Sequence, residues 1–176
     1  VTPTDSGTVE GIWIAEEGSK PMAAVESVEA VANRGLRGDR YFRGTGYYSG
    51  FDGCEVTLVT ESALESIQEE YDIDLRDGRH RRNVVTRGVP LIHLLDTRFA
   101  VGDTVLDGTR PRPPCAHVEA VAEEDGVARA LQADRGGICA HVVESGTVEV
   151  GDTVEVRERL TTDPDELAEA IRDRHD

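Results

Sequence analysis

Phe99-Ala100-Val101-Gly102-Asp103-Thr104-Val105-Leu106-Asp107 decides the fold class. Apolar, β-prone residues flank a Gly-Asp pair on both sides, and a two-residue turn of that kind is a hairpin signal. Residues 98–107 are therefore expected to form two strands about Gly102-Asp103. Val150-Gly151-Asp152-Thr153-Val154 echoes Val101-Gly102-Asp103-Thr104-Val105, which predicts a second hairpin over 147–156. Nothing around the echo repeats, so it is recurring turn chemistry and not a duplicated domain.

Outward from these turns, strand composition recurs in short pieces. Val9-Glu10-Gly11-Ile12-Trp13-Ile14-Ala15 is one, and residues 25–32, 55–60, 83–86 and 138–143 supply others. Ser62 with Glu65 forms a capping box that predicts a helix to about Glu70, burying Leu64, Ile67 and Tyr71. Residues 127–133 have helical composition, and Asp163-Pro164-Asp165-Glu166 opens an acidic C-terminal helix. Asn33-Arg34-Gly35-Leu36-Arg37-Gly38-Asp39-Arg40 marks tight turns, and residues 41–53 form a glycine and aromatic loop suited to a rim or lid. Many short strands with few helices imply a mainly β fold, a barrel or a closed β-rich domain. The Gly35-Leu36-Arg37-Gly38 stretch lacks the ending and the following helix of a phosphate-cradling loop. The expected organisation is a tail over 1–8, one domain over 9–159 and the acidic helix over 160–176.

Composition restricts the surroundings. No stretch has the pattern of a signal peptide or a spanning helix, so the chain is expected to be soluble and cytoplasmic, with no membrane partner. Three cysteines, an odd number, predict reduced thiols and no disulfide framework. Asp plus Glu number 35 against 19 Lys plus Arg, Lys20 is the only lysine, and the net charge is -16. An acidic, lysine-poor surface resembles adaptation to a high-salt (halophilic) cytosol, and it argues against nucleic-acid binding.

Against that background, Arg110-Pro111-Arg112-Pro113-Pro114-Cys115-Ala116-His117 is a proline-stiffened turn. It is expected to be neither helix nor central strand, and to present Cys115 in a preset direction. Arg110 and Arg112 favour a thiolate, the form that acts as nucleophile and metal ligand. A cysteine tucked into the core is the alternative. A basic island, Arg76, Arg79, His80, Arg81, Arg82 and Arg87, suits an anionic ligand, with pairing to local acids as the alternative. Cys115-Ala116-His117 and Cys139-Ala140-His141 also offer a Cys2His2 set for zinc, at a spacing unlike the usual fingers. Cys54 has no neighbouring base and reads as a structural thiol. A hydrolase pairing of Cys115 with His80, His93 or His141 is open, but nothing in the sequence selects one.

The order Gly38-Asp39-Arg40, Arg82-Asn83-Val84-Val85, Gly88-Val89-Pro90-Leu91, Phe99-Ala100-Val101-Gly102-Asp103 and Pro111-Arg112-Pro113-Pro114-Cys115 resembles the MOSC family, named for the C-terminal domain of molybdenum cofactor sulfurase. The resemblance extends through Gly146-Thr147-Val148-Glu149-Val150-Gly151-Asp152 and covers roughly 9–157. It implies a MOSC-type β-barrel, similar to that of pyruvate kinase, associated with the molybdenum cofactor (molybdopterin). Cys115 then either ligates molybdenum or carries sulfur as a persulfide, while Arg40, Arg82, Asn83 and Arg112 line the cofactor pocket. The family contains reductases of N-hydroxylated compounds, so an oxidoreductase acting on a small molecule is implied. The alternatives are a sulfur carrier loaded by a pyridoxal-phosphate cysteine desulfurase and a non-catalytic metal-binding module. With neither a desulfurase nor a ferredoxin domain in this stretch, the partner is expected to be a separate cysteine desulfurase or electron-transfer protein.

Overall fold

The computed structural model describes residues 6–16, 21–39, 42, 55–75, 80–111 and 137–160. Its strands are β1 (Ser6–Ile14), β2 (Ala23–Val25), β3 (Ser27–Val31), β4 (Gly35–Leu36), β5 (Val56–Thr60) and β6 (Val84–Arg87). They continue with β7 (Thr97–Val101), β8 (Thr104–Pro111), β9 (Ile138–Glu144), β10 (Gly146–Glu149) and β11 (Thr153–Arg159). Helix α1 (Glu61–Tyr71) and a 3-10 turn (Leu91–Leu94) complete the described elements. Seven strands in the order β11-β7-β8-β9-β5-β6-β1 close into a barrel through a β11–β1 pairing, and β2 extends β1 at one side. A second sheet, β10-β3-β4, is a separate ladder whose Val28, Ala30, Leu36 and Val148 pack into the same core.

Strand alternation sorts the side chains between two cores. Val56, Leu58, Val84, Ile138, Ala140, Val142, Phe99 and Leu106 fill the barrel interior. The intervening residues Val59 and Val85 point outward and pack under α1 with Ala63, Leu64 and Ile67. Each strand of the β5-β6 pair is thus buried on both faces, which is why 55–60 reads as a near-continuous apolar run. These two strands pair in parallel, and a parallel neighbour needs a crossover longer than a tight turn. Helix α1 lies within that crossover.

Gly108 shows how closely the barrel wall is packed. A Cβ there would run into the carbonyl of Leu94, and the β8–β9 register shifts between Gly108 and Arg110. The bulge lets β8 bend past the 3-10 turn.

Several expectations change. The first hairpin forms as β7 and β8, but β10 and β11 do not pair with each other. Strand β10 joins β3, whereas β11 joins β7 and β1. The local turn chemistry survives, with Gly102 and Gly151 both at positive φ. The Gly102 N–H donates to the Thr153 carbonyl at 3.2 Å, so the two echoing turns lie against each other. Residues 25–32 are not one strand, since the chain passes from β2 to β3 at Glu26 and changes sheet. Helix α1 is capped by Thr60, not Ser62, with the Ala63 N–H donating to Thr60 Oγ1 at 3.1 Å. Strand β5 ends at Thr60 in extended backbone, so its hydroxyl already faces the first turn. Arg110 and Pro111, expected in a turn, are the last residues of β8, a strand with neighbours on both sides. Pro111 is tolerated because it is the final strand residue. The helical stretch 127–133, most of the 41–53 loop and residues 161–176 of the expected C-terminal helix lie outside the described residues.

Candidate functional site

The basic turn His80-Arg81-Arg82-Asn83 enters β6, and all four residues are buried. Arg81 has φ of 61°, a left-handed backbone that costs a non-glycine residue about 1 kcal/mol or more. The turn is held from within. The Arg82 N–H donates to His80 Nδ1 at 2.9 Å, and Arg82 Nη1 donates to the His80 carbonyl at 2.9 Å. His80 Nδ1 can accept only while it carries no proton. The imidazole meets Trp13 edge to face at 5.7 Å between ring centres, and both residues line a hollow of about 250 Å³ between β1, β2 and the start of α1.

Asn83 is bound into the sheet on each side. Its Oδ1 accepts from the Thr57 N–H and the Thr57 hydroxyl at 3.0 and 3.1 Å. Its Nδ2 donates to the Trp13 carbonyl at 3.0 Å. These bonds tie β1, β5 and β6 together at the level where the basic turn begins. Arg82 likewise has no exposed surface. Arg82 and Asn83 are thus both held inside the fold at the entrance to β6.

Strand stagger brings the start of β6 level with the end of β8. Val84 pairs with Leu58, Leu58 with Ile138, and Ile138 with Pro111, so these four form one row across β6, β5, β9 and β8. The preceding row contains Thr57, Cys139 and Arg110, with the Asn83 N–H donating to the Thr57 carbonyl. Three strand spacings separate its ends, about 14 Å along the sheet. The basic turn and the strand that leads to Cys115 thus occupy one level of the barrel.

The rest of the basic island does not join this turn as a patch. Arg87 is exposed and lies 3.4 Å from Glu10, while Arg76 and Arg79 fall outside the described residues. Buried guanidiniums and a surface ion pair are separate features that share a stretch of sequence.

Cys139 corrects the expectation of reduced thiols, because it is disulfide-bonded. It is fully buried on β9, and its partner lies outside the described residues. An odd cysteine count excludes complete pairing, not a single bridge. His141, two residues on and on the same face, holds Glu55 through Nδ1 at 2.6 Å. Both described members of the Cys2His2 set are therefore engaged otherwise, a sulfur in a disulfide being no thiolate. No group of three or more metal-ligating side chains occurs among the described residues. In strand register His141 sits opposite Asp107, which accepts two hydrogen bonds from Arg98 at 2.9 and 3.1 Å.

A larger cavity, about 640 Å³, opens at one end of the barrel. Strands β5, β6 and β8 all run toward that end, since β9 is antiparallel to β5 and β8 while β5 and β6 are parallel. Val89, Pro90, Leu91, Ile92 and Leu95 form one wall. Pro111 and Gly137, which bracket residues 112–136, border it, and among its described lining residues Thr60 and Ser62 carry polar side chains. None of these residues stood out as a lining residue in the sequence. They come from five separate elements, and in sequence Gly88-Val89-Pro90-Leu91 marks only a family motif.

Arg40, Arg112, Cys115, His117 and Cys54 lie outside the described residues.

Comparison with known proteins gives a consistent picture. A family model described as "MOSC domain" matches residues 45–155. Among solved structures, the YuaD protein from Bacillus subtilis is similar at a TM-score of 0.71 and 18% identity, over 87% of this chain and 96% of that one. YiiM from Escherichia coli is similar at 0.67 and 15%, over 89% of this chain and 72% of that one. YiiM from Geobacillus stearothermophilus is similar at 0.64 and 16%, over 87% and 74%. At such identities the likeness carries the fold alone. No curated protein matches the chain in sequence. Among the described residues, no helix is long and apolar enough to cross a membrane.

Proposed function

This chain belongs to the MOSC domain family, which is associated with molybdenum-cofactor binding or sulfur transfer, and on that premise we propose that it binds a molybdenum cofactor through Cys115 and reduces N-hydroxylated small molecules. The observation that carries the reading is the basic turn. Two guanidiniums, Arg81 and Arg82, are buried in a chain of net charge -16, on a backbone strained at Arg81. Guanidinium forks match phosphate and carboxylate geometry, so positive charge concentrated at this level supports an anionic ligand near it.

The residues fit such a group in donor chemistry. Cys115 supplies a soft thiolate, the ligand type suited to a redox-active metal. Arg110 and Arg112 flank it and favour loss of its proton. Arg40 and Arg112 are the groups proposed to meet the cofactor's phosphate and pterin, and Arg82 and Asn83 hold the strand entrance rigid beneath them. When bound, the cofactor supplies the electron-transfer centre. Reduction of an N–OH group to N–H and water consumes two electrons and two protons, so a separate electron-transfer protein is the implied partner.

The test is metal and pterin analysis of the chain from a cofactor-producing host, wild type beside Cys115→Ala, in high salt. Stoichiometric molybdenum and pterin in the wild type, with metal lost in the variant, is the expected result. Absence of both, with sulfane sulfur appearing on Cys115 after incubation with a cysteine desulfurase and cysteine, would replace the proposal by sulfur carriage.

A further inference from the structure

We draw no further inference here: the strongest candidate, the hollow between β1, β2 and the start of α1 that Glu10, Glu26 and Glu61 line beside Trp13, rests on a cluster of acidic residues, and nothing else among the described residues points to a ligand there.

Discussion

Thr57 and Asn83 hold each other reciprocally across the parallel β5–β6 junction. The Thr57 N–H and hydroxyl both donate to Asn83 Oδ1, while the Asn83 N–H donates to the Thr57 carbonyl at 2.9 Å with Thr57 Oγ1 3.1 Å away. Both residues are fully buried. Since Asn83 also reaches Trp13, this pair fixes where β6 begins relative to β5 and β1.

Removing the hydroxyl alone exposes the value of that arrangement. Thr57→Val keeps the shape but deprives Asn83 Oδ1 of one donor in a fully buried site. The expected loss is about 1–3 kcal/mol, read from the urea midpoint at unchanged slope. Thr57→Ser, which keeps the hydroxyl, should lose less. Equal losses in the two variants would show that the methyl, not the hydrogen bond, matters.

The Arg98–Asp107 pair gives a pH prediction. The Arg98 guanidinium titrates above its ordinary value, first because of its hydrogen bonds to Asp107 and then because of that carboxylate's charge. A pKa raised by folding contributes stability that is present below the unfolded value and is lost only as pH rises through the folded one. An arginine reaches neither value between about pH 7 and about pH 10. A double-mutant cycle with Arg98→Ala and Asp107→Ala should therefore return the same coupling at both. A coupling that shrinks on going to the higher pH would contradict this assignment. The pair is partly exposed, so added salt should weaken it.

The thiol count is a direct check on Cys139. One disulfide among three cysteines leaves one free thiol. Iodoacetamide labelling of the denatured, unreduced chain should therefore modify one cysteine, and labelling after reduction should modify three. Three labels before reduction would show that the bridge does not form in solution. Peptide mapping of the single early label then states whether Cys115 is free as purified, which the proposed thiolate role requires before any reductant is added.

Period and turn chemistry were legible along the chain because they are local. The Gly102-Asp103 turn, the apolar run of β5 and the buried Leu64 and Ile67 of α1 each follow from a few neighbouring residues and the backbone conformations open to them. The same information made a mainly β, barrel-like fold readable, and the ordered motifs made the family readable.

Pairing across the chain is not local, and it becomes visible in the fold. The Gly151-Asp152 turn looks like its twin at Gly102-Asp103, yet it separates strands that belong to different sheets, because β10 finds β3 and β11 closes the barrel on β1. The basic island was one stretch in sequence. In the fold, the entry to β6 buries Arg81 and Arg82, while Arg87 faces Glu10 at the far end of the strand. Cys139 read as half of a metal-binding pair, but adjacency on a strand says nothing about which sulfur lies opposite. The cavity at the barrel end has no signature along the chain, since Thr60, Ile92, Pro111 and Ile138 meet only when the ends of several strands converge. Composition and short-range geometry act within a few residues, so most elements and the charge can be read along the chain. Register and closure act between residues tens of positions apart, so the placement of the site awaited the closed barrel.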